Sequence, residues 1–127
     1  MNSKTLLNRR ILVVEDEYLI AQDVQYDLEK AGATVLGPLP SVGQALEMIA
    51  RTDHIDAAVL DVNLGHDTSF SIAQALTIRS IPFLFATGYD ASDIPVVWRH
   101  ARTETKPLRV EAVAELLNEG PPRPGSR

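Results

Sequence analysis

The sequence predicts an α/β fold built on a parallel sheet. Two patterns predict it. Short strand-forming runs at Ile11-Leu12-Val13-Val14, Thr34-Val35-Leu36, Ala57-Ala58-Val59-Leu60 and Ile81-Pro82-Phe83-Leu84-Phe85-Ala86 alternate with stretches whose apolar residues recur at helical spacing. Three of those runs are continuously apolar rather than alternating, as strands buried on both faces are. The length, 127 residues, suits one domain with a real core.

Residues 1–9 read as a polar lead-in. The first strand, Ile11–Val14, ends in Glu15-Asp16-Glu17. Ile20, Val24, Leu28 and Ala31 mark the first helix, with Gly32 as its stop. A short strand, Thr34–Leu36, ends at Gly37-Pro38. Ser41 is placed to cap a second helix whose inward positions are Val42, Ala45, Leu46 and Ile49. The third strand runs from Ala57 into Asp61. Gly65 to Ser69 is a polar loop, and Phe70 to Arg79 a helix with Ile72, Ala73 and Leu76 inward. Pro82 fits only the beginning of the fourth strand, because proline cannot donate to a ladder. Ile94 to Trp98 is expected as an irregular fourth helix limited by Pro95, and Arg102-Thr103-Glu104-Thr105 as a weak fifth strand. Val110, Val113, Ala114 and Leu117 form one face of a last helix. Residues 119–127, rich in proline and glycine, are expected to be a disordered tail.

Composition excludes several classes. The net charge is −5, which gives no basic surface for nucleic acid. There is no cysteine, so disulfide and thiol chemistry are absent. No apolar run is long enough to span a bilayer, and the first ten residues lack the apolar region of a signal peptide. A cytoplasmic protein without nucleic-acid or membrane partners is expected.

Parallel strands joined by right-handed crossovers put every C-terminal strand end on one edge of the sheet. Glu15, Asp16, Asp61, Thr87 and Lys106 all fall at or just after such ends. Two like charges about 4 Å apart cost roughly 4 kcal/mol at an effective dielectric near 20, so acids gathered there need positive charge. Oxygen-rich ligands suit Mg²⁺, and Lys106 supplies a second positive charge. An acid, a divalent ion, an ammonium and a hydroxyl can together hold a phosphoryl group, and aspartate is a known phosphoryl acceptor.

At these residues the chain resembles the receiver domain of two-component response regulators, over about residues 10–118. The resemblance implies a flavodoxin-like, doubly wound five-stranded sheet of order 2-1-3-4-5. It implies an acidic pair at Glu15 and Asp16, the phosphoacceptor at Asp61, a metal-binding carbonyl at Asn63, a switch hydroxyl at Thr87 and a lysine before a usually cis-linked proline at Lys106-Pro107, with Mg²⁺ held by Glu15, Asp16, Asp61 and Asn63. Pro82-Phe83-Leu84-Phe85-Ala86-Thr87-Gly88-Tyr89 and Asp61-Val62-Asn63-Leu64-Gly65 resemble the FATGUY subgroup of single-domain receivers. The aromatic switch of typical receivers falls on Thr103, and Tyr89 is the candidate to take over part of its task. Tyr89 and His66, which could flank the site, are candidate modulators; a bulky Tyr89 would slow phosphoryl hydrolysis. The implied partners are a histidine kinase or phosphotransfer protein and a downstream protein target met through the fourth helix and fifth strand. No output domain fits after Asn118, so a stand-alone receiver is expected.

Each residue alone has a simpler explanation. Acids before a helix meet its positive end, Asp61 and Thr87 could cap turns, and Lys106 could be a solvated charge. It is the joint spacing that points to phosphoryl chemistry. Two other functions use the same residues: an unphosphorylated interaction module with a relic site, and a Mg²⁺-dependent phosphohydrolase.

Overall fold

Strand and helix alternate through most of the chain, as its hydrophobic pattern requires. The structure, a computed structural model, describes residues 5–88 and 94–120. Its elements are β1 (Arg10–Val14), α1 (Tyr18–Lys30), β2 (Thr34–Leu39), α2 (Val42–Arg51), β3 (Ala57–Asp61), β4 (Asn63–Leu64), β5 (Asp67–Thr68), α3 (Phe70–Ile78), β6 (Phe83–Thr87), β7 (Arg102–Thr105) and α4 (Val110–Glu119). The main sheet has the order β2-β1-β3-β6-β7 with every neighbour parallel. Leaving out the small β4–β5 hairpin, this is the expected 2-1-3-4-5 order.

Period-two alternation divides the strands between two cores. Leu12, Val14, Ala58, Leu60, Phe83 and Phe85 face α2 and α3, meeting Ala45, Ile49, Ile72, Ala73 and Leu76. Ile11, Val13, Ala57, Val59, Leu84 and Ala86 face the other layer, meeting Leu28, Ala112, Val113 and Leu116. Burial on both faces is why β1, β3 and β6 are continuously apolar. Ser41 caps α2 as expected, its Oγ accepting the Gln44 N–H at 3.3 Å. Among the described residues no helix is long and apolar enough to cross a membrane.

Three local expectations need correction, and one weakly marked strand is borne out. β2 does not end at Gly37-Pro38 but continues to Leu39. It is an edge strand, where a proline without an N–H is tolerated. Gly37 takes φ +102°, where an added Cβ would lie 2.9 Å from the Val13 carbonyl. The polar stretch after β3 contains the β4–β5 hairpin, Asn63 opposite Thr68. The weak strand Arg102–Thr105 forms in full; it lies at the sheet edge, where polar side chains are tolerated, and Arg102 bonds Glu104, Glu115 and Glu119. The fourth helix is reduced, among the described residues, to a 3₁₀ turn at Val96–Trp98.

The lead-in also contributes to the core. Leu6 is fully buried, and its N–H donates to the Ala31 carbonyl at 2.9 Å. Nothing in the sequence marks this, because two adjacent leucines, Leu6 and Leu7, in a polar segment have no period. Leu6→Ala is expected to cost about 2–4 kcal/mol in denaturant unfolding. A loss under about 0.5 kcal/mol would mean that the segment is not docked. α4 runs into the expected tail as far as Glu119, and residues 121–127 lie outside the described residues.

Candidate functional site

The C-terminal ends of β1, β3, β6 and β7 meet at one edge, as parallel topology demands. β1 delivers Glu15 and Asp16, β3 ends in Asp61, β6 ends in Thr87 and β7 leads into Lys106. Carboxylate oxygens of Glu15, Asp16 and Asp61 all lie within 4.8 Å of one another. Asp16 is exposed, Asp61 is 12% exposed at the side chain, and Glu15 only 5%.

Lys106 is the cation that makes this cluster tolerable. Its Nζ donates to Glu15 Oε1 at 2.8 Å and lies 3.4 Å from Asp61 Oδ1. The Glu17 N–H donates to Glu15 Oε2 at 3.0 Å, so both oxygens of the buried carboxylate are occupied. The Lys106 backbone N–H donates to the Thr87 carbonyl at 2.8 Å, which ties the two strand ends together. The Lys106-Pro107 bond is cis. This direct grip of Glu15 on Lys106 could not be read from the sequence, since the two residues stand 91 positions apart.

The charges perturb one another. Burial, then the Glu15 charge, pushes the Asp61 carboxyl up from 3.8 to about 7, with Lys106 pulling the other way. Burial works against the Lys106 ammonium, but the Glu15 hydrogen bond and the Asp61 charge outweigh it and hold its pKa above the ordinary lysine value. Between about pH 4 and 7 the folded chain therefore keeps a proton on Asp61 that the unfolded chain has lost. Stability contributed at this group falls as pH rises through that window and stays low above it. Asp61→Asn is expected to raise the stability of the metal-free protein at pH 8 by about 1–2 kcal/mol after solvent screening, with little change at pH 4. Equal effects at the two pH values in thermal melts would contradict this.

The remaining predicted residues fall as follows. Asn63 is exposed at the start of β4, two residues past Asp61. Thr87 is half-buried and lies opposite Thr105 in the β6–β7 register. His66 is exposed in the β4–β5 turn, and among the described residues no hydrogen bond or ion pair joins it to the rim. Tyr89 lies outside the described residues. The three clustered acids are the hard oxygen donors that Mg²⁺ prefers, so the residues present fit that ion. A cleft of ≈ 270 Å³ reaches Asp61 and Lys106 from the α1 side, over an apolar lining that includes Val13, Ile20, Val24, Val59 and Leu108. Asp61 is thus within reach of a group brought by another molecule.

No protein-family model matches the chain. Among solved structures, SdrG from Sphingomonas melonis Fr1 is 39% identical, with a TM-score of 0.74 over 93% of this chain and 97% of SdrG. The BeF3-activated conformation of SdrG from Pseudomonas melonis Fr1 matches with a TM-score of 0.70. A response regulator receiver protein from Sinorhizobium medicae WSM419, 24% identical, shares the fold with a TM-score of 0.74 over 87% of this chain and 95% of that one. The sensory transduction protein LytT of Bacillus cereus is 34% identical over 84 residues, which are 64% of this chain but 34% of LytT. The chain thus spans about a third of the length of that curated relative. An acidic cluster with a lysine at the C-terminal edge of a 2-1-3-4-5 sheet, and 39% identity along nearly the whole of SdrG, lead to one conclusion: the chain belongs to the response-regulator receiver family of two-component signalling.

Proposed function

We propose that Asp61 accepts a phosphoryl group from a phosphohistidine, carried by a histidine kinase or a phosphotransfer protein, and that the chain signals by protein contact. One observation carries this reading. Asp61 stands at the open end of β3 with two further carboxylates within 4.8 Å and the Lys106 ammonium at 3.4 Å. That set matches the needs of phosphoryl transfer, which are positioning and charge neutralisation.

An Asp61 oxygen forms a bond to phosphorus as the phosphorus–nitrogen bond of the donor breaks. The electron pair returns to the imidazole nitrogen, which takes up a proton from solvent. The ionised form of Asp61 is the nucleophile, so its raised pKa sets the fraction ready to react. Glu15, Asp16, Asp61 and the Asn63 carbonyl would hold Mg²⁺, which supplies positive charge for the transferring oxygens. Lys106 exchanges part of its hold on Glu15 for a phosphoryl oxygen. Thr87 offers its hydroxyl to another, and this displacement biases the surface carried by β7 and the Ile94–Trp98 segment. That surface meets the downstream target. The existence of a BeF3-activated conformation of SdrG supports a phosphoryl-like ligand for this chain.

Intact-mass measurement after treatment with acetyl phosphate and Mg²⁺ tests the reading. One phosphoryl mass per chain is expected, with none in Asp61→Asn. Turnover of a phosphoester beyond one equivalent would instead indicate a phosphohydrolase. No mass gain would indicate an interaction module with a relic site.

A further inference from the structure

The cleft on the α1 side has a chemistry of its own beyond its inner end at Asp61 and Lys106. Its floor is Val13 and Val59, paired across β1 and β3, with Ala86 of β6, and all three are buried. Its walls are Ile20 and Val24 of α1 and Leu108 of the link into α4, all half-buried. Together they leave an apolar slot of ≈ 270 Å³. An apolar cavity of about 150 Å³ takes up one benzene ring, so this slot suits a fused two-ring body with a short chain. A partner helix, about 10–12 Å across with its side chains, is too wide for it.

The mouth of the slot is acidic. Asp23 and Asp27 also line the cleft, and both are exposed, so they stand where it opens. Neither carboxylate has a hydrogen bond or ion pair to another described residue. Nor do they serve the helix. Like charges four residues apart repel, and Asp27 lies in the last turn of α1, where the helix end is itself negative. Lys30, the one base of α1, lies over the Tyr26 ring, 5.9 Å from its centroid. At the inner end the Lys106 ammonium is already shared by Glu15 and Asp61. Among the described residues the lining thus sets four carboxylates, Glu15, Asp23, Asp27 and Asp61, against Lys106. An apolar slot with an acidic mouth complements a guest that has an apolar body and one positive charge at its end.

We propose that this cleft is a binding site for a small aryl-alkyl ammonium ion: the aromatic body lies on Val13, Val59 and Ala86, between α1 and Leu108, and the ammonium bonds Asp23 and Asp27. The guest uses neither Asp16 nor the metal-facing side of Asp61, so the site is distinct from the proposed Mg²⁺ site and does not depend on the phosphoacceptor reading.

Three indoles of one shape test it on the full chain, by amide chemical shifts in solution. Mg²⁺ is present throughout, so that the rim acids are not what attracts the probe. Tryptamine carries the ammonium, tryptophol a neutral hydroxyl in its place, and indole-3-propionate a carboxylate. Tryptamine is expected to bind at least about tenfold more tightly than tryptophol, and indole-3-propionate more weakly still, because bonds to a charged partner are the stronger ones. The shifts are expected to centre on Val13, Val59, Ala86 and Leu108. In Asp23→Asn/Asp27→Asn, which removes two exposed charges and no core contact, the preference for tryptamine is expected to vanish while tryptophol binds as before. Val24→Trp, which fills the slot, is expected to abolish binding of all three; should it fail to fold, the surface pair still decides. Equal affinities for the three indoles would overturn the proposal, since the cleft would then take any apolar guest. Tighter binding of indole-3-propionate would overturn it by giving the guest's charge to Lys106. Absence of saturable shifts at the cleft with tryptamine would overturn it outright.

Discussion

Lys106→Ala is expected to lower the stability of the metal-free protein by about 3–5 kcal/mol near pH 8, the cost of leaving a buried charge without its partner. Glu15 is 5% exposed at the side chain, and its Oε1 has Lys106 at 2.8 Å. Asp61 is the next charge, 3.4 Å from the same ammonium. Without Lys106 the two carboxylates face one another in a partly desolvated rim, with, among the described residues, the Glu17 N–H still donating to Glu15. The loss should shrink in acid, as protonation removes the repulsion. Lys106→Ala in a Glu15→Gln background should recover at least half of it, because an amide carries no charge to strand. Denaturant melts at two pH values measure all three quantities. A loss below about 1 kcal/mol would show that the pair behaves as a solvent-screened surface bridge. Phosphoryl uptake should fall about 10²-fold in the same variant, since one charged donor to the transferring group is gone.

The second large effect is the pH dependence of Mg²⁺ binding. In the proposed site the ion and the proton would compete for Asp61, whose pKa in the metal-free chain stands at about 7. Apparent affinity should be flat above that value and fall by up to tenfold for each pH unit below it, giving about a tenfold loss between pH 8 and 6. Calorimetric titration in buffers of different ionisation enthalpy should also show proton release near pH 6.5. In Asp61→Asn the slope should disappear. A Mg²⁺ affinity that is the same at pH 6 and 8 would contradict the raised pKa of Asp61.

What the sequence disclosed follows the physics of each feature. Strands buried on both faces leave continuous apolar runs, so β1, β3 and β6 were legible, and a parallel order alone brings Glu15, Asp16, Asp61, Thr87 and Lys106 to one edge. The C-terminal placement of Asp61 came from the same logic, since a carboxylate has no place inside such a strand. Edge elements left weaker marks. β2 passes through Gly37-Pro38 and β7 is wholly polar, because an edge needs neither two buried faces nor a full ladder. Leu6 was hidden for a related reason: its burial depends on a docking site against the end of α1 and not on any local period. The pairing of Lys106 with Glu15 joins the two ends of the chain, and side-chain reach decides it, not sequence spacing. Trp98 was legible only as one aromatic residue in a poorly patterned stretch. Its edge-on packing against Phe83 and Phe85 joins residues of two elements and leaves no local period.

Reductive trapping offers the most direct test of the claim that the edge gathered by the sheet exists to phosphorylate Asp61. An aspartyl phosphate is an acyl phosphate, and borohydride reduces it to homoserine. After acetyl phosphate, Mg²⁺ and borohydride, peptide mass spectrometry should find homoserine at position 61 and at no other acid of the chain, Glu15 and Asp16 included. Trapping at another carboxylate, or none at all while the protein remains folded, would contradict the account.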